Sequence, residues 1–253
     1  RAVDAMQRDV GGKRMHVGVA RIVQYLVDQA FDDPRQHLAL VNLKSDAEYR
    51  LRHPVHTMIL AIGMGQRLGL SRASLLDLGL AILMADIGMT ELPEDIYETG
   101  ADLSPEQRKL IERHPLDSIT AVLESKRFDA SVQRWLMCAF EQHMGLDNGG
   151  YPKALEWQSP HLFSRIFSVC ETYDALTTTT PWREGLLPDE ALSVMMEQSG
   201  TTLDPGLVTH LVNMLGRYPL GSVLMLSTGE VCVVFSTPVE AENVLRPVVK
   251  ILL

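Results

Sequence analysis

From Met15 to Ala30 the apolar positions Met15, Val19, Ile22, Val23, Leu26 and Ala30 recur three or four residues apart, the period of one helix face. A second such run extends from about His53 to Leu68 and stops near Gly69. Ser71 then reads as the N-cap of a more uniformly apolar helix through Leu75, Leu76, Leu78, Ile82 and Leu83. Ser104, Pro105 and Gln107 form a capping box with proline at the first helical position, predicting a helix as far as His114. Pro115 is expected to interrupt it, with a new helix from Leu116 to Ser125. Further helices are expected over Ser131 to His143 and Ser164 to Thr177, flanking a Gly/Asn/Pro-rich loop at Leu146 to Leu155.

After Arg217 the pattern changes. SVLMLSTGEVCVVF carries two β-rich runs around Ser227, Thr228 and Gly229, which predicts a hairpin, and a last strand is expected at Val248 to Leu253. The organisation read from these shifts is an N-terminal helical segment (1–45), a helical domain (46–215) and a C-terminal β-hairpin extension (216–253).

Apolar residues make up 46% of the 253 and charged residues 22%, ordinary for a globular chain with a substantial core. The apolar runs are broken too often to predict a membrane span. A net charge of -9 without a Lys/Arg stripe argues against binding a nucleic-acid polymer. Three isolated cysteines, Cys138, Cys170 and Cys232, suit reduced thiols, so a cytoplasmic location is expected. The chain opens on Arg1 rather than Met, which leaves room for an upstream domain.

The candidate chemistry lies in polar residues on otherwise apolar helices: His53, Asp86, His114, His143 and Glu171. They recur about one helix plus one connection apart, a spacing that permits several of them to meet at one level of a bundle, as in metal centres built between helices. Asp86 interrupts the apolar run ILMADIGM, and an ionised carboxylate there costs several kcal/mol unless it is paired, hydrogen-bonded or bound to a metal. His16, His37, His56, His161 and His210 are read as ordinary hydrogen-bonded residues, and His114 also suits a helix C-terminus.

An ordered series of motifs carries a family resemblance: HPVHTMILAIGMGQRLGL at 53–70, ADIGMTELPEDI at 85–96, IERHPLDS at 111–118 and QHMGLDNGGYP at 142–152. SRIFSVCETYDALTTTTPWREGL at 164–186, TTLDPGLV at 201–208 and YPLGSVLMLSTGEVCVV at 218–234 follow. The chain resembles the HD-GYP domains, a bacterial branch of the HD metal-dependent phosphohydrolases. The resemblance implies an all-helical fold, and with the hairpin read above the expected class is mainly α, an HD-type helical bundle with a small C-terminal β-hairpin. It also implies a centre of two or three metal ions that hydrolyses cyclic di-GMP by activating a water and neutralising phosphate oxygens.

Carried over residue by residue, the resemblance makes His53, Asp86, His114, His143 and Glu171 the metal ligands, Asp86 and Tyr151 the catalytic residues, and Arg183 the residue that holds the nucleotide. Against the family pattern, Ala85 replaces the His of the His-Asp pair and Gln142 the first His of the His-His pair. Glu171 stands for an Asp, Met144 for an acid, Met89 for the phosphate-facing lysine and Thr180 for an arginine. Asn148 replaces a glycine but tolerates a left-handed turn, and Asp174 is read as structural.

His53, Asp86 and Glu171 would surround one metal position, and Asp86, His114 and His143 the other. The expected cofactor is therefore a single Fe, Mn or Zn ion, or none. The leading expectation is a degenerate domain of cyclic di-GMP signalling with little or no phosphodiesterase activity, acting through protein contact or residual ligand binding. The alternative is an active phosphodiesterase with a reduced metal site, and a receptor that binds nucleotide without cleaving it is a third. Cyclic di-GMP and a diguanylate cyclase or receiver-domain protein are the expected partners.

Overall fold

In a computed structural model of the chain, residues 13–42, 49–93, 96, 103–124, 130–153, 159–180, 183–236 and 246–252 are described. The ends of three expected elements, Ser125, Leu155 and Leu253, lie outside them, as does the start of the N-terminal segment. The helices are α1 (Lys13–Asp32), α2 (Pro34–Ala39), α3 (Tyr49–Arg67), α4 (Arg72–Ala85), α5 (Pro105–Glu124) and α6 (Ala130–Glu141). They continue with α7 (Leu162–Thr177), α8 (Pro188–Gln198) and α9 (Pro205–Leu215).

The caps act as the sequence predicts. Ser71 Oγ accepts from Ser74 N at 3.1 Å, starting α4. Ser104 Oγ accepts from Gln107 N at 3.1 Å while Gln107 Oε1 accepts from Ser104 N at 2.9 Å, a reciprocal pair that starts α5.

α4 is buried on nearly every side, with Leu75, Leu78, Ala81, Ile82, Leu83, Met84 and Ala85 all enclosed. Such a helix has no polar face, which marks the centre of a core rather than its rim. It packs on α1, α3 and α6, and α3 in turn packs on α7. The stretch Arg72–Thr90 is also long and apolar enough to cross a membrane, but more than half of its most apolar window is buried inside the domain, as a core helix should be.

One expectation is corrected. Pro115 does not break the helix: α5 runs unbroken from Pro105 to Glu124 with the proline inside it. A proline lacks the N–H that would bond the carbonyl four residues back, here Ile111. That carbonyl takes another donor, His114 Nδ1, at 2.6 Å, so the lost ladder bond is replaced and the helix continues.

The C-terminal extension is a three-stranded antiparallel sheet in the order β1 (Val223–Met225), β2 (Val231–Ser236), β3 (Val248–Ile251). Val223 faces Val233 across the hairpin, and Val233 faces Lys250 on the far side. The turn falls at the expected residues, with Gly229 at φ 91°. Cys232 and Val234, alternate residues of β2, are the buried ones.

Candidate metal centre

Asp86 is the residue at which α4 ends and a 3₁₀ turn, Ile87–Glu91, begins. The turn lies directly on α5. A Cβ on Gly88 would sit 2.4 Å from the His114 carbonyl oxygen and 2.6 Å from Ser118 N, so only glycine permits this approach. Gly88 N also donates to the buried Ser118 Oγ at 2.8 Å. This clamp fixes Asp86 beside His114, with Oδ1 3.4 Å from His114 Nε2.

His143 follows the end of α6 and is held from the far side of the next loop. Tyr151 N donates to the His143 carbonyl at 3.2 Å, and Gly150, at φ 73°, passes so close that a Cβ would overlap that carbonyl oxygen at 1.9 Å. Asn148 adopts φ 59°, the left-handed turn expected of it. The Tyr151 ring lies 4.7 Å from the His143 ring and 6.1 Å from the His114 ring. Burial raises the Tyr151 pKa, keeping the phenol neutral.

The structure brings Asp86, His114 and His143 together, with one donor atom from each lying within 4.8 Å of the others. Beside them, Glu171 on α7 lies between two histidines, 3.9 Å from His53 Nε2 and 3.7 Å from His143 Nδ1. All five expected ligands therefore converge from α3, α4, α5, α7 and the end of α6. Arg183 does not join them: its guanidinium donates to the Ala175 carbonyl in the last turns of α7.

Two histidines are oriented as metal ligands usually are, with one ring nitrogen tied to an acceptor and the other facing the centre. His114 donates from Nδ1 to Ile111 O. His53 is paired from Nδ1 with Asp174 Oδ2 at 2.6 Å. Burial alone would lower the His53 pKa, but the Asp174 and Glu171 carboxylates outweigh it and hold the ring well above the usual imidazole range. For Asp86, burial pushes upward, and the surrounding histidines outweigh it, keeping the carboxyl ionised.

Gln142 is the residue whose importance the sequence understated. Its amide Nε2 lies 3.2 Å from Asp86 Oδ1, 3.1 Å from His114 Nε2 and 3.4 Å from the Ala85 carbonyl. The amide N–H₂ thus serves the carboxylate and imidazole that would otherwise face a cation. Its Oε1 is buried with no hydrogen-bond partner. That orphan is the observation against which a metal can be tested: rotating the amide would turn an oxygen donor toward Asp86 and His114. The donor set then fits one cation held by Asp86, His114 and His143, with Gln142 Oε1 available as a weak neutral ligand. It does not reproduce the seven-residue set that the family resemblance implies for a paired centre, because Ala85 offers no donor.

Sequence reasoning also missed Tyr49, whose ring stacks on His53 at 5.0 Å from one turn earlier on α3. His56, read as an ordinary hydrogen-bonded residue, is one: its Nδ1 lies 3.2 Å from Asp174 Oδ1. The H-x-x-H spacing puts it on the same helix face as His53.

Comparison with known proteins agrees with this architecture. A family model described as an HD domain matches residues 37–207. The chain is 31% identical over 218 residues to the cyclic di-GMP phosphodiesterase PA4108 of Pseudomonas aeruginosa, covering 86% of this chain and 51% of that protein. It is 28% identical over 160 residues to the cyclic di-GMP phosphodiesterase response regulator RpfG of Xanthomonas campestris pv. campestris, covering 63% of this chain and 41% of that one. Bd1817, an HDG"Y"P protein from Bdellovibrio bacteriovorus, superimposes with a TM-score of 0.71 at 20% identity, covering 85% of this chain and 68% of that one, which shows the shared fold.

The chain belongs to the HD domain family, and the HD-GYP resemblance of its motifs is borne out. It spans about half the length of the curated relatives it matches.

Proposed function

We propose that this domain serves cyclic di-GMP signalling as a reduced HD-GYP domain, holding at most one cation and acting by binding or protein contact rather than by rapid cleavage. The observation that carries this reading is the Gln142 amide on Asp86 and His114, at 3.2 and 3.1 Å, where the family resemblance places a ligand histidine. Ala85 removes a second imidazole, and Met89 removes the cation that would face the substrate phosphate. Losing a charge placed where negative charge develops costs about 3–4 kcal/mol of transition-state stabilisation, a hundredfold or more in rate.

Asp86, His114 and His143 would hold the cation, which when bound would polarise a phosphoryl oxygen and acidify a water. The protein's own residues do the rest: Ile111 O and Asp174 fix the two imidazoles, and Tyr151 covers His143 on one side. Relatives named as cyclic di-GMP phosphodiesterases support that dinucleotide as the ligand, and the response-regulator relative supports a receiver-domain protein as partner.

A second reading, a phosphodiesterase using one metal, is favoured by the intact donor cluster of Asp86, His114 and His143. Incubation of the purified domain with cyclic di-GMP and excess Mn²⁺ separates the two. Binding without turnover is the expected result, whereas multiple turnovers that vanish in Asp86→Ala would establish the second reading.

A further inference from the structure

A cleft of about 710 Å³ with Asp174 in its lining opens between α3, the end of α7, the start of α8 and the segment leading into β1. None of the five expected metal ligands lines it. Three basic side chains do: Arg52 and His56, one turn apart on α3, and Arg217 just beyond α9. Neither arginine has an acidic partner among the described residues, whereas Arg72, Arg113, Arg134 and Arg165 are each paired with an aspartate.

Two acids also line the cleft, Asp174 and Asp189. Asp174 is already engaged, by His53 on one oxygen and His56 on the other, so it offers little to a cation entering from this side. Asp189 lies in the first turn of α8, where the helix dipole stabilises it. The C-terminal end of α7 and the N-terminal end of α8 both face the cleft, and their opposite partial charges offset one another. The two guanidiniums, without an acidic partner among the described residues, therefore set the sign. Tyr218 and the Thr177 to Thr179 segment add polar groups beside them.

The geometry points to a second ligand site here, for a multiply charged phosphate compound held by Arg52 and Arg217. Guanidinium groups suit such a ligand because their planar N–H forks bind phosphate oxygens in pairs. The volume admits a ligand of nucleotide size. Because Asp174 joins His56 in the cleft to His53 at the metal centre, the two places share one carboxylate.

The test is calorimetric titration of the full chain in EDTA, with inorganic pyrophosphate and ATP as probes. Saturable binding is expected, weakened at least tenfold in Arg52→Gln and in Arg217→Gln and unchanged in His114→Ala. Circular dichroism on each variant confirms folding, and Arg217→Glu provides a second exposed change should Arg52→Gln prove unstable. Tighter binding of ATP than of pyrophosphate assigns the site to a nucleotide, and equal or weaker binding to the inorganic group; both support the site. Absence of binding by either probe, binding insensitive to the arginine changes, or binding lost with His114 overturns the proposal. The reading of the metal centre is untouched by any of these results, since the chelator removes its cation.

Discussion

At the scale of single residues, the centre is a contest for Asp86 and His114. A cation would draw on the Asp86 oxygen and the free His114 Nε2, and the Gln142 amide uses both. Gln142→His replaces a neutral donor by an imidazole whose lone pair can ligate, so the affinity for Mn²⁺ or Zn²⁺ should rise at least tenfold, measured by competition with a fluorescent chelator. A variant whose affinity does not change would show that Gln142 does not control the site.

The His53–Asp174 pair belongs to the same scale and makes a pH prediction. His53 is raised from 6.5 to about 10, so its contribution to stability is complete below about pH 6.5 and is lost as pH rises through about 10. Asp174 is lowered, chiefly because its bonds to His53 and His56 overcome the opposing effect of burial, so its contribution is present above its unfolded value of 3.8 and fades as pH falls below that. Asp174→Asn, which leaves a buried imidazole without its counter-charge, should cost about 3–5 kcal/mol by urea unfolding at pH 5–6 in EDTA. The difference from the parent should shrink as the pH approaches 10. A constant difference would contradict the assigned charge state.

At the scale of elements, two local devices set the site. Pro115 frees the Ile111 carbonyl for His114. In Pro115→Ala the restored N–H competes for that carbonyl, so the helix gains a ladder bond while His114 loses its fixed orientation. Thermal stability should hold or rise and metal affinity should fall, a split that calorimetry and chelator competition resolve together. Gly88 lets the 3₁₀ turn lie on α5; in Gly88→Ala the added carbon meets backbone atoms that cannot swing aside. A loss of about 1–3 kcal/mol in urea unfolding is expected, and no loss would mean that the turn is free to move away.

At the scale of the whole molecule, α4 is the element that everything else encloses. Ile82→Ala at its centre should cost about 2–5 kcal/mol in a single cooperative transition, followed by far-ultraviolet circular dichroism against urea. Much of this architecture was legible because the physics was local: Ser71 and the Ser104–Gln107 box mark starts, and the apolar positions mark faces. The candidate ligands were legible from the ordered motifs, and they do converge.

Three features were not legible. The continuity of α5 through Pro115 depends on a side chain replacing a backbone donor, which no propensity encodes. The Gln142 amide bridges elements that lie 56 and 28 residues away in sequence, so its partners exist only in the folded state. Arg183 has the expected charge, yet its guanidinium meets the Ala175 carbonyl, a contact made by the path of the loop after α7.

The central claim is that the fold keeps the place of a paired metal centre while its side chains support at most one cation. Metal content and cyclic di-GMP hydrolysis, measured on one sample reconstituted with excess Mn²⁺ and then desalted, test it most directly. The account predicts no more than one ion per chain with hydrolysis at background, and a second ion in the combined Ala85→His and Gln142→His variant. Two ions per unaltered chain together with multiple-turnover hydrolysis would contradict it.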